Sequence, residues 1–319
     1  MSIVIASEKA LISQWLDIFK KYAAEFDINP NDIEFWPDVK DKQKVEYLIV
    51  WKPPYDISRQ MPNAKAIFNL GAGVDHLLLD DSLPADVPIV RVVDENLTKR
   101  MGEYVCLHSL HHLREMPVLK KAQANNEWRE IYNPTAHEVT VGVMGLGEIG
   151  AYCAILLTKL GFNVIGWSNS PKNLENVKSY SGTAELDTFL AQTEILVNIL
   201  PHTAKTDKLV TYKLLSKLNK NGALQGATYI TAGRGKTHHQ ADLIRALQDG
   251  NLKSASLDVF ETEPLNADSP LWGLDNVVIT PHNASLTDHI TVSKQILGQI
   301  RNHKNNGVLI NVVDLKRGY

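Results

Sequence analysis

Residues Val141-Gly142-Val143-Met144-Gly145-Leu146-Gly147-Glu148-Ile149-Gly150 run an apolar, strand-like segment into a GxGxxG sequence and on into a helical pattern. Few arrangements need three glycines at that spacing. The first permits a tight turn, the second lets backbone approach a pyrophosphate, and the third lets the helix pack close on the strand. Backbone N–H groups at the helix start, the positive end of its dipole, then face the phosphates. Leu146, Glu148 and Ile149 share that loop and helix start, so residues 145–150 are candidate cofactor ligands. Such a turn opens a βαβ unit and commits this part of the chain to a parallel sheet covered by helices.

Short apolar runs alternate with longer helical patterns along the whole chain, as in α/β folds with parallel sheets. Ile3–Ala6 predicts a first strand and Leu11–Phe26 an amphipathic helix after it. Tyr47–Trp51 and Ala66–Asn69 continue the series, closed by Pro53-Pro54 and Gly71-Ala72-Gly73, and Ile89–Val93 adds another strand. A long helix over Gly102–Asn125, interrupted or bent near Pro117, leads to a loop at Asn133-Pro134. The second series starts at Val139–Met144 and runs through strands at Asn163–Trp167, Ile195–Ile199, Ala227–Thr231, Ser254–Asp258 and Val277–Thr280. A last helix, Ser285–Asn305, returns to the first domain, because the tail Leu309–Tyr319 is too short to build one of its own. The expected fold is α/β, with two Rossmann-like, doubly wound parallel-sheet domains and a cleft between them. Residues 1–103 with 286–319 form the first, flavodoxin-like domain; 104–285 form the dinucleotide-binding Rossmann domain.

With 319 residues, 44% of them hydrophobic and 22% charged, the chain has the composition of a globular protein. A formal charge of −3 gives no basic field for nucleic acid or an anionic membrane. Only two cysteines occur, Cys106 and Cys153, and they read as thiols in a reducing compartment. The first apolar run is too short for a signal peptide, and no stretch approaches the roughly 18 apolar residues of a membrane span. A cytoplasmic protein is expected, with no resident metal.

The strand after the glycine loop should end beside an adenosine ribose. NAD-preferring sites carry an acidic residue there to accept from the 2′-hydroxyl. Here Ser168-Asn169-Ser170-Pro171-Lys172 follows instead. Two hydroxyls, an amide and an ammonium suit a 2′-phosphate, so Ser168, Asn169, Ser170 and Lys172 point to NADP (NADPH) before NAD. A polar surface turn without any role in selectivity is the plainer alternative.

Three further segments follow strands in the second half: Thr231-Ala232-Gly233-Arg234-Gly235, Asp258–Leu265 and Thr280-Pro281-His282-Asn283-Ala284. Carboxyl ends of strands in an open sheet are where ligands bind. Reducing a 2-oxo acid needs a cation for the carboxylate and carbonyl oxygens, and a proton donor for the developing alkoxide. Arg234 suits the first task with its planar, always charged fork. His282 suits the second, and a carboxylate on its other ring nitrogen favours the imidazolium; Glu263 is the candidate. Singly, each has a dull reading as a surface charge, a loop residue or a buried histidine.

Together these residues resemble the D-isomer-specific 2-hydroxyacid dehydrogenase family. The resemblance runs from Val50-Trp51-Lys52-Pro53-Pro54 to Arg317-Gly318-Tyr319, through Leu70-Gly71-Ala72-Gly73-Val74-Asp75, Met101-Gly102-Glu103-Tyr104, Leu200-Pro201-His202-Thr203 and Ser269-Pro270-Leu271-Trp272. It implies that Arg234, Glu263 and His282 form the catalytic trio. It also implies that backbone N–H groups of Ala72, Gly73 and Val74 in the first, substrate-binding domain take the substrate carboxylate, with Trp51 walling the pocket. Leu200, Pro201, His202, Thr206, Thr231, Ala232, Gly233 and Asp258 would lie along the cofactor. Members resembling this chain reduce glyoxylate and hydroxypyruvate with NADPH, which implies glycolate and D-glycerate as its products. They pair as homodimers through the nucleotide domain and its long helix. A dehydrogenase for another D-2-hydroxy acid, or a non-catalytic dinucleotide sensor, is the alternative.

Three details depart from that pattern. Gly233 stands where the family has Ala, Asn169 where NADP-using relatives have Arg, and Asn283-Ala284-Ser285 where apolar or small residues are commoner. His108, His111 and His112, at helical spacing, predict a solvated or interface face before a metal site. His238 and His239, just past the Arg234 loop, read as surface residues, with a substrate contact as the alternative. Trp128 is either a wall of the neighbouring subunit's site or packing within its own.

Overall fold

Ser2–Ser7 (β1), buried along its whole length, has parallel neighbours on both sides. The structure, a computed structural model, describes residues 1–7, 9–74, 76–77, 80–84 and 86–315. Asp75 of the expected loop motif and the terminal Arg317-Gly318-Tyr319 lie outside the described residues. The chain divides into two compact units, 1–97 with 287–319, and 98–286. The sequence reading sets these boundaries at 103/104 and 285/286; the first division falls earlier in the same helix.

In the first unit Lys9–Ala23 (α1) is followed by Ile33–Phe35 (β2), Val45–Trp51 (β3), Ala66–Asn69 (β4) and Ile89–Val90 (β5). Among the described residues they build a five-stranded sheet, order β2-β1-β3-β4-β5, with all pairs parallel. A parallel sheet is covered on both faces, which is why β3 reads Val-Glu-Tyr-Leu-Ile-Val-Trp rather than alternating. Ile3, Ile5, Tyr47, Ile49 and Phe68 pack on one face, under Trp15 and Phe19 of α1. Val4, Ala6, Leu48, Val50 and Ile67 pack on the other, with Ile57, Met61 and Val74.

Glu95–Leu113 (α2) leads into the second unit and Met116–Ala124 (α3) follows. Then come Thr140–Met144 (β6), Glu148–Lys159 (α4), Asn163–Ser168 (β7), Lys178–Ser181 (β8), Gly182–Leu190 (α5) and Ile195–Asn198 (β9). Tyr212–Leu215 (α6), Thr228–Thr231 (β10), Gln240–Gln248 (α7), Ser254–Leu257 (β11) and Val277–Ile279 (β12) complete it. Its seven-stranded sheet has the order β12-β11-β10-β9-β6-β7-β8. Strand order reverses between β6 and β9, the point where an open α/β sheet leaves a ligand crevice. His289–Asn306 (α8) belongs to the first unit, where Val292, Ile296, Leu297 and Ile300 join the α1 side of the core. Its start is capped by Asp288, which accepts from Thr291 N–H at 2.7 Å.

The structure corrects the sequence reading in detail. Two edge strands were not expected, the three-residue β2 and the polar β8. The strand expected over Ile89–Val93 spans only Ile89–Val90; Arg91 N–H turns instead to Asn311 O at 3.1 Å. The interruption expected near Pro117 does occur, at Glu115, whose φ of 52° is left-handed. Pro117 then sits in the first turn of α3, where a missing N–H costs no helical bond. No helix among the described residues is long and apolar enough to cross a membrane.

Candidate active site

The glycine loop follows β6 at the switch point. Gly145 has φ of 102°, a value side chains resist, and its N–H donates to Trp167 O at 2.8 Å. A Cβ on Gly150 would stand 1.8 Å from Gly145 O, so α4 can begin against the turn only with glycine there. Gly147 caps α4 without a side-chain bond, and a Cβ on it would meet nothing within 4 Å. The first-turn N–H groups of Glu148, Ile149 and Gly150 therefore front open space, as a phosphate requires. Leu146 is buried beneath Gly166, fixing the loop's underside.

At the end of β7, Ser168 is buried and its hydroxyl donates to Ser170 O at 2.7 Å, so that hydroxyl shapes the turn. Asn169, Ser170 and Lys172 are exposed. After β9, Leu200 is buried, with its N–H on Asn198 Oδ1 at 3.1 Å. The next turn is closed by Thr206, whose hydroxyl donates to Pro201 O at 2.6 Å and accepts from Thr203 N–H at 2.8 Å. His202 Nε2 meets Asp207 at 2.8 Å.

Thr231 and Ala232 are buried at the end of β10. A Cβ on Gly233 would stand 2.6 Å from Leu200 O and 2.9 Å from Ile199 C. Glycine is thus set here by a close backbone approach, while its φ lies outside the left-handed region. Arg234 follows, half-buried, with Nη1 on Gly233 O at 2.9 Å. Gly235 in turn lies against Phe260 backbone, since an added Cβ would be 1.9 Å from Phe260 O. That contact ties the Arg234 loop to the loop carrying Glu263.

Glu263 Oε1 accepts from Phe260 N–H at 3.0 Å, and Oε2 meets His282 Nδ1 at 2.7 Å. The carboxylate is thereby held by its own loop and orients the imidazole. His282 is 44% exposed in its side chain, and its Nε2 has no protein partner among the described residues. Its φ of 53° is left-handed, a strained conformation for histidine, and its N–H donates to Asp258 O at 2.9 Å. Asp258 is 1% exposed. Its Oδ1 accepts from Thr280 Oγ1 at 2.6 Å, Asn283 N–H at 3.0 Å and Ala284 N–H at 3.1 Å, and Oδ2 also faces Ala284 N–H at 3.1 Å.

In the first unit, β4 delivers the chain to Gly71–Val74. Trp51, at the end of β3, lies flat over Gly71, where a Cβ would be 2.3 Å from the indole, and edge-on to His76 at 5.0 Å. The backbone N–H groups of Ala72, Gly73 and Val74 have no acceptor among the described residues. Successive unpaired donors of this kind form an anion-binding nest. Below them Asn69, 0% exposed, donates from Nδ2 to Gly71 O at 2.8 Å and Gly73 O at 2.9 Å.

Residues 106–284 match the model of the D-isomer specific 2-hydroxyacid dehydrogenase NAD binding domain, more than half of the chain. The chain belongs to the D-isomer specific 2-hydroxyacid dehydrogenase family. It is 34% identical to glyoxylate/hydroxypyruvate reductase A of Yersinia enterocolitica over 88% of this chain and 89% of that protein. A probable 2-hydroxyacid dehydrogenase of Rhizobium etli, solved with NADP, HEPES and L(+)-tartaric acid, is 41% identical with a TM-score of 0.92, covering 100% of this chain and 99% of that one. The NADPH-dependent glyoxylate/hydroxypyruvate reductase of Sinorhizobium meliloti, solved with NADP and sulfate, is 36% identical with a TM-score of 0.92 over 100% of both chains.

For a member of this dehydrogenase family, several side chains sit differently from the sequence reading. Asp258, expected along the cofactor, also braces the His282 turn through its carboxylate, a role that long-range bonds hide from the sequence. Asn69 escapes the sequence reading; its signal is an amide two residues before Gly71-Ala72-Gly73. His108 and His112 are buried rather than solvated. His112 lies between Ser254 Oγ at 2.9 Å and Ser256 Oγ at 2.8 Å, and burial pushes its pKa down to about 3. His238 is buried too, beside Tyr229 and bridged to Val210, and burial lowers its pKa to about 4. Trp128 is 94% exposed, so it does not pack within its own subunit. Cys153 is buried and Cys106 half-buried, both free thiols.

Proposed function

We propose that this chain reduces small 2-oxo acids, glyoxylate to glycolate and hydroxypyruvate to D-glycerate, with NADPH as reductant. The observation that carries the reading is the His282–Glu263 pair. Its imidazole, 44% exposed, is oriented by a carboxylate on Nδ1, and Asp258 braces the backbone turn that carries it. The glycine loop, with its open face at Gly147, fits the pyrophosphate, and the exposed Asn169–Lys172 turn, free of carboxylates, suits the 2′-phosphate better than a bare ribose. The bound nicotinamide supplies the hydride.

The chain's own groups do the rest. In the first unit the nest at Ala72–Val74 suits a carboxylate, and in the second the Arg234 guanidinium suits carboxylate and carbonyl oxygens in one fork. As negative charge grows on the carbonyl oxygen, Arg234 stabilises it and His282 Nε2 delivers a proton to it. Glu263 offsets the imidazolium charge before transfer. Trp51, packed on Gly71, bounds the space and favours a small substituent.

The test follows oxidation of NADPH and NADH with glyoxylate, hydroxypyruvate, pyruvate and a bulky 2-oxo acid. NADPH-dependent turnover with the first two is expected. Tight cofactor binding without turnover of any 2-oxo acid would refute the enzyme reading and favour a sensor, and preference for NADH would refute the reading of Ser168–Lys172.

The working form is a homodimer joined through the nucleotide unit. Trp128 and Tyr132, 94% and 98% exposed on the extended segment after α3, support this, as does exposed Leu107 on α2. Large aromatics so fully in water mark a protein interface. Sedimentation should give the mass of two chains, and a monomer at micromolar concentration would refute it.

A further inference from the structure

Asn69 closes β4 with its side chain buried and turned back under the loop that follows. Its two amide protons go to two carbonyls of that loop, Gly71 O and Gly73 O. Because both neighbours are acceptors, the amide can face them only with its NH2 end.

The consequence lies in the peptide planes. In a trans peptide the C=O of one residue and the N–H of the next point in opposite directions across the same rigid plane. Drawing Gly71 C=O onto Asn69 therefore turns Ala72 N–H away from it. Drawing Gly73 C=O onto Asn69 does the same for Val74 N–H. Those are two of the three donors without an acceptor among the described residues. One side chain thus aims a pair of N–H groups, one for each oxygen of a carboxylate. Trp51 over Gly71, and Val92 N–H on Gly71 O at 3.3 Å, hold the same plane from other sides.

We propose that Asn69 is the positioning residue that makes this loop selective for a carboxylate, so that it sets the preference for 2-oxo acids over aldehydes of equal size. It touches no substrate and acts through the backbone alone. The inference rests on the reading of Ala72–Val74 as the carboxylate site. Asparagine meets the requirement because it brings two donors on one planar group at the reach the loop needs. Serine has one donor, and an ionised aspartate has none and would repel both carbonyls.

The test compares wild type with Asn69→Asp, which changes shape least, using the NADPH-loaded enzyme. Glyoxylate is set against glycolaldehyde, which carries the same aldehyde without the carboxylate. In the variant the kcat/KM ratio of acid to aldehyde should fall about tenfold or more, as expected for two lost charge-assisted contacts. The loss should appear in the glyoxylate KM, with kcat and the aldehyde kcat/KM changed less than about threefold. A parallel loss for both substrates, or an unchanged glyoxylate KM, overturns the proposal. Calorimetric binding of oxalate, which cannot be reduced, separates this from the catalytic reading. If wild type binds oxalate and turns nothing over, the catalytic reading fails alone, and about tenfold weaker binding by the variant still supports the role of Asn69. Equal oxalate binding by both, or none by wild type, overturns it. Should Asn69→Asp fold poorly, Asn69→Ser carries the same comparisons.

Discussion

Replacing Gly233 by alanine installs the residue that the family pattern carries at this position, and it should damage this protein. The new Cβ would meet Leu200 O at 2.6 Å, Ile199 C at 2.9 Å and Leu200 N at 3.0 Å, against ordinary contact distances of 3.4–4 Å. All three are backbone atoms, so no rotamer change relieves them. Nor is the opposing backbone free to retreat. Ile199 N–H is held by Met144 O at 2.9 Å and Leu200 N–H by Asn198 Oδ1 at 3.1 Å. Overpacking of this kind costs about 2 kcal/mol. For a unit the size of 98–286, that is about 6 °C of Tm. Because Arg234 is the next residue, its guanidinium should move by a fraction of an ångström, and kcat/KM should fall roughly 10- to 100-fold. Thermal unfolding and steady-state kinetics on the purified variant measure both. An unchanged midpoint with unchanged kinetics would show that the 199–200 backbone yields freely and that the steric reasoning is wrong.

Gly150→Ala, with its Cβ 1.8 Å from Gly145 O, should abolish NADPH binding and destabilise by about 3 kcal/mol or more; retained cofactor affinity in fluorescence titration would contradict this. His282→Ala should lower kcat by about 10²–10⁴ with a modest KM change, whereas Arg234→Ala should raise KM and lower kcat together; unaltered kinetics in either removes the assigned role. Acid should weaken the fold early. Burial lowers His112 to about 3, and His108 and His238 to about 4, from 6.5. Below about pH 6.5 the unfolded chain binds protons that the folded chain refuses, so this stability is complete above that pH and lost as pH falls. Three such histidines remove about 4 kcal/mol between pH 7.5 and 5.5, read as a falling denaturation midpoint. His238→Val should flatten that slope by about a third, and an identical slope would exclude His238 as a contributor.

Much of this architecture was legible because it rests on local rules. The three glycines of 145–150 each meet the demand their spacing implies, in turn, open face and close packing. Strand periodicity located β1, β3, β4, β6 and β9 to within two residues or so. What escaped reading is non-local. β2 and β8 are short edge strands whose only cue is a partner distant in sequence. His112 looked like one histidine among three on a polar face until two serines of β11 enclosed it. Asp258 reads as a strand-end carboxylate, and only the folded turn reveals that it carries the His282 loop. Gly233 reads only as a departure from the family's Ala, yet the nearby Leu200 backbone makes glycine a steric requirement.

The first unit is discontinuous, and this gives synthesis an order. Its core closes only when Val292, Ile296, Leu297 and Ile300 of α8 reach Ile3, Phe19 and Ile49, contacts that span nearly the whole chain. Residues 98–286, by contrast, are one uninterrupted stretch. As the chain leaves the ribosome, the inner unit can complete its sheet while the outer one still presents an apolar face awaiting its last helix. The interval between those events is when the nascent protein is most exposed to aggregation. Variants that weaken α8 should therefore reduce soluble yield more than they reduce the stability of protein already folded.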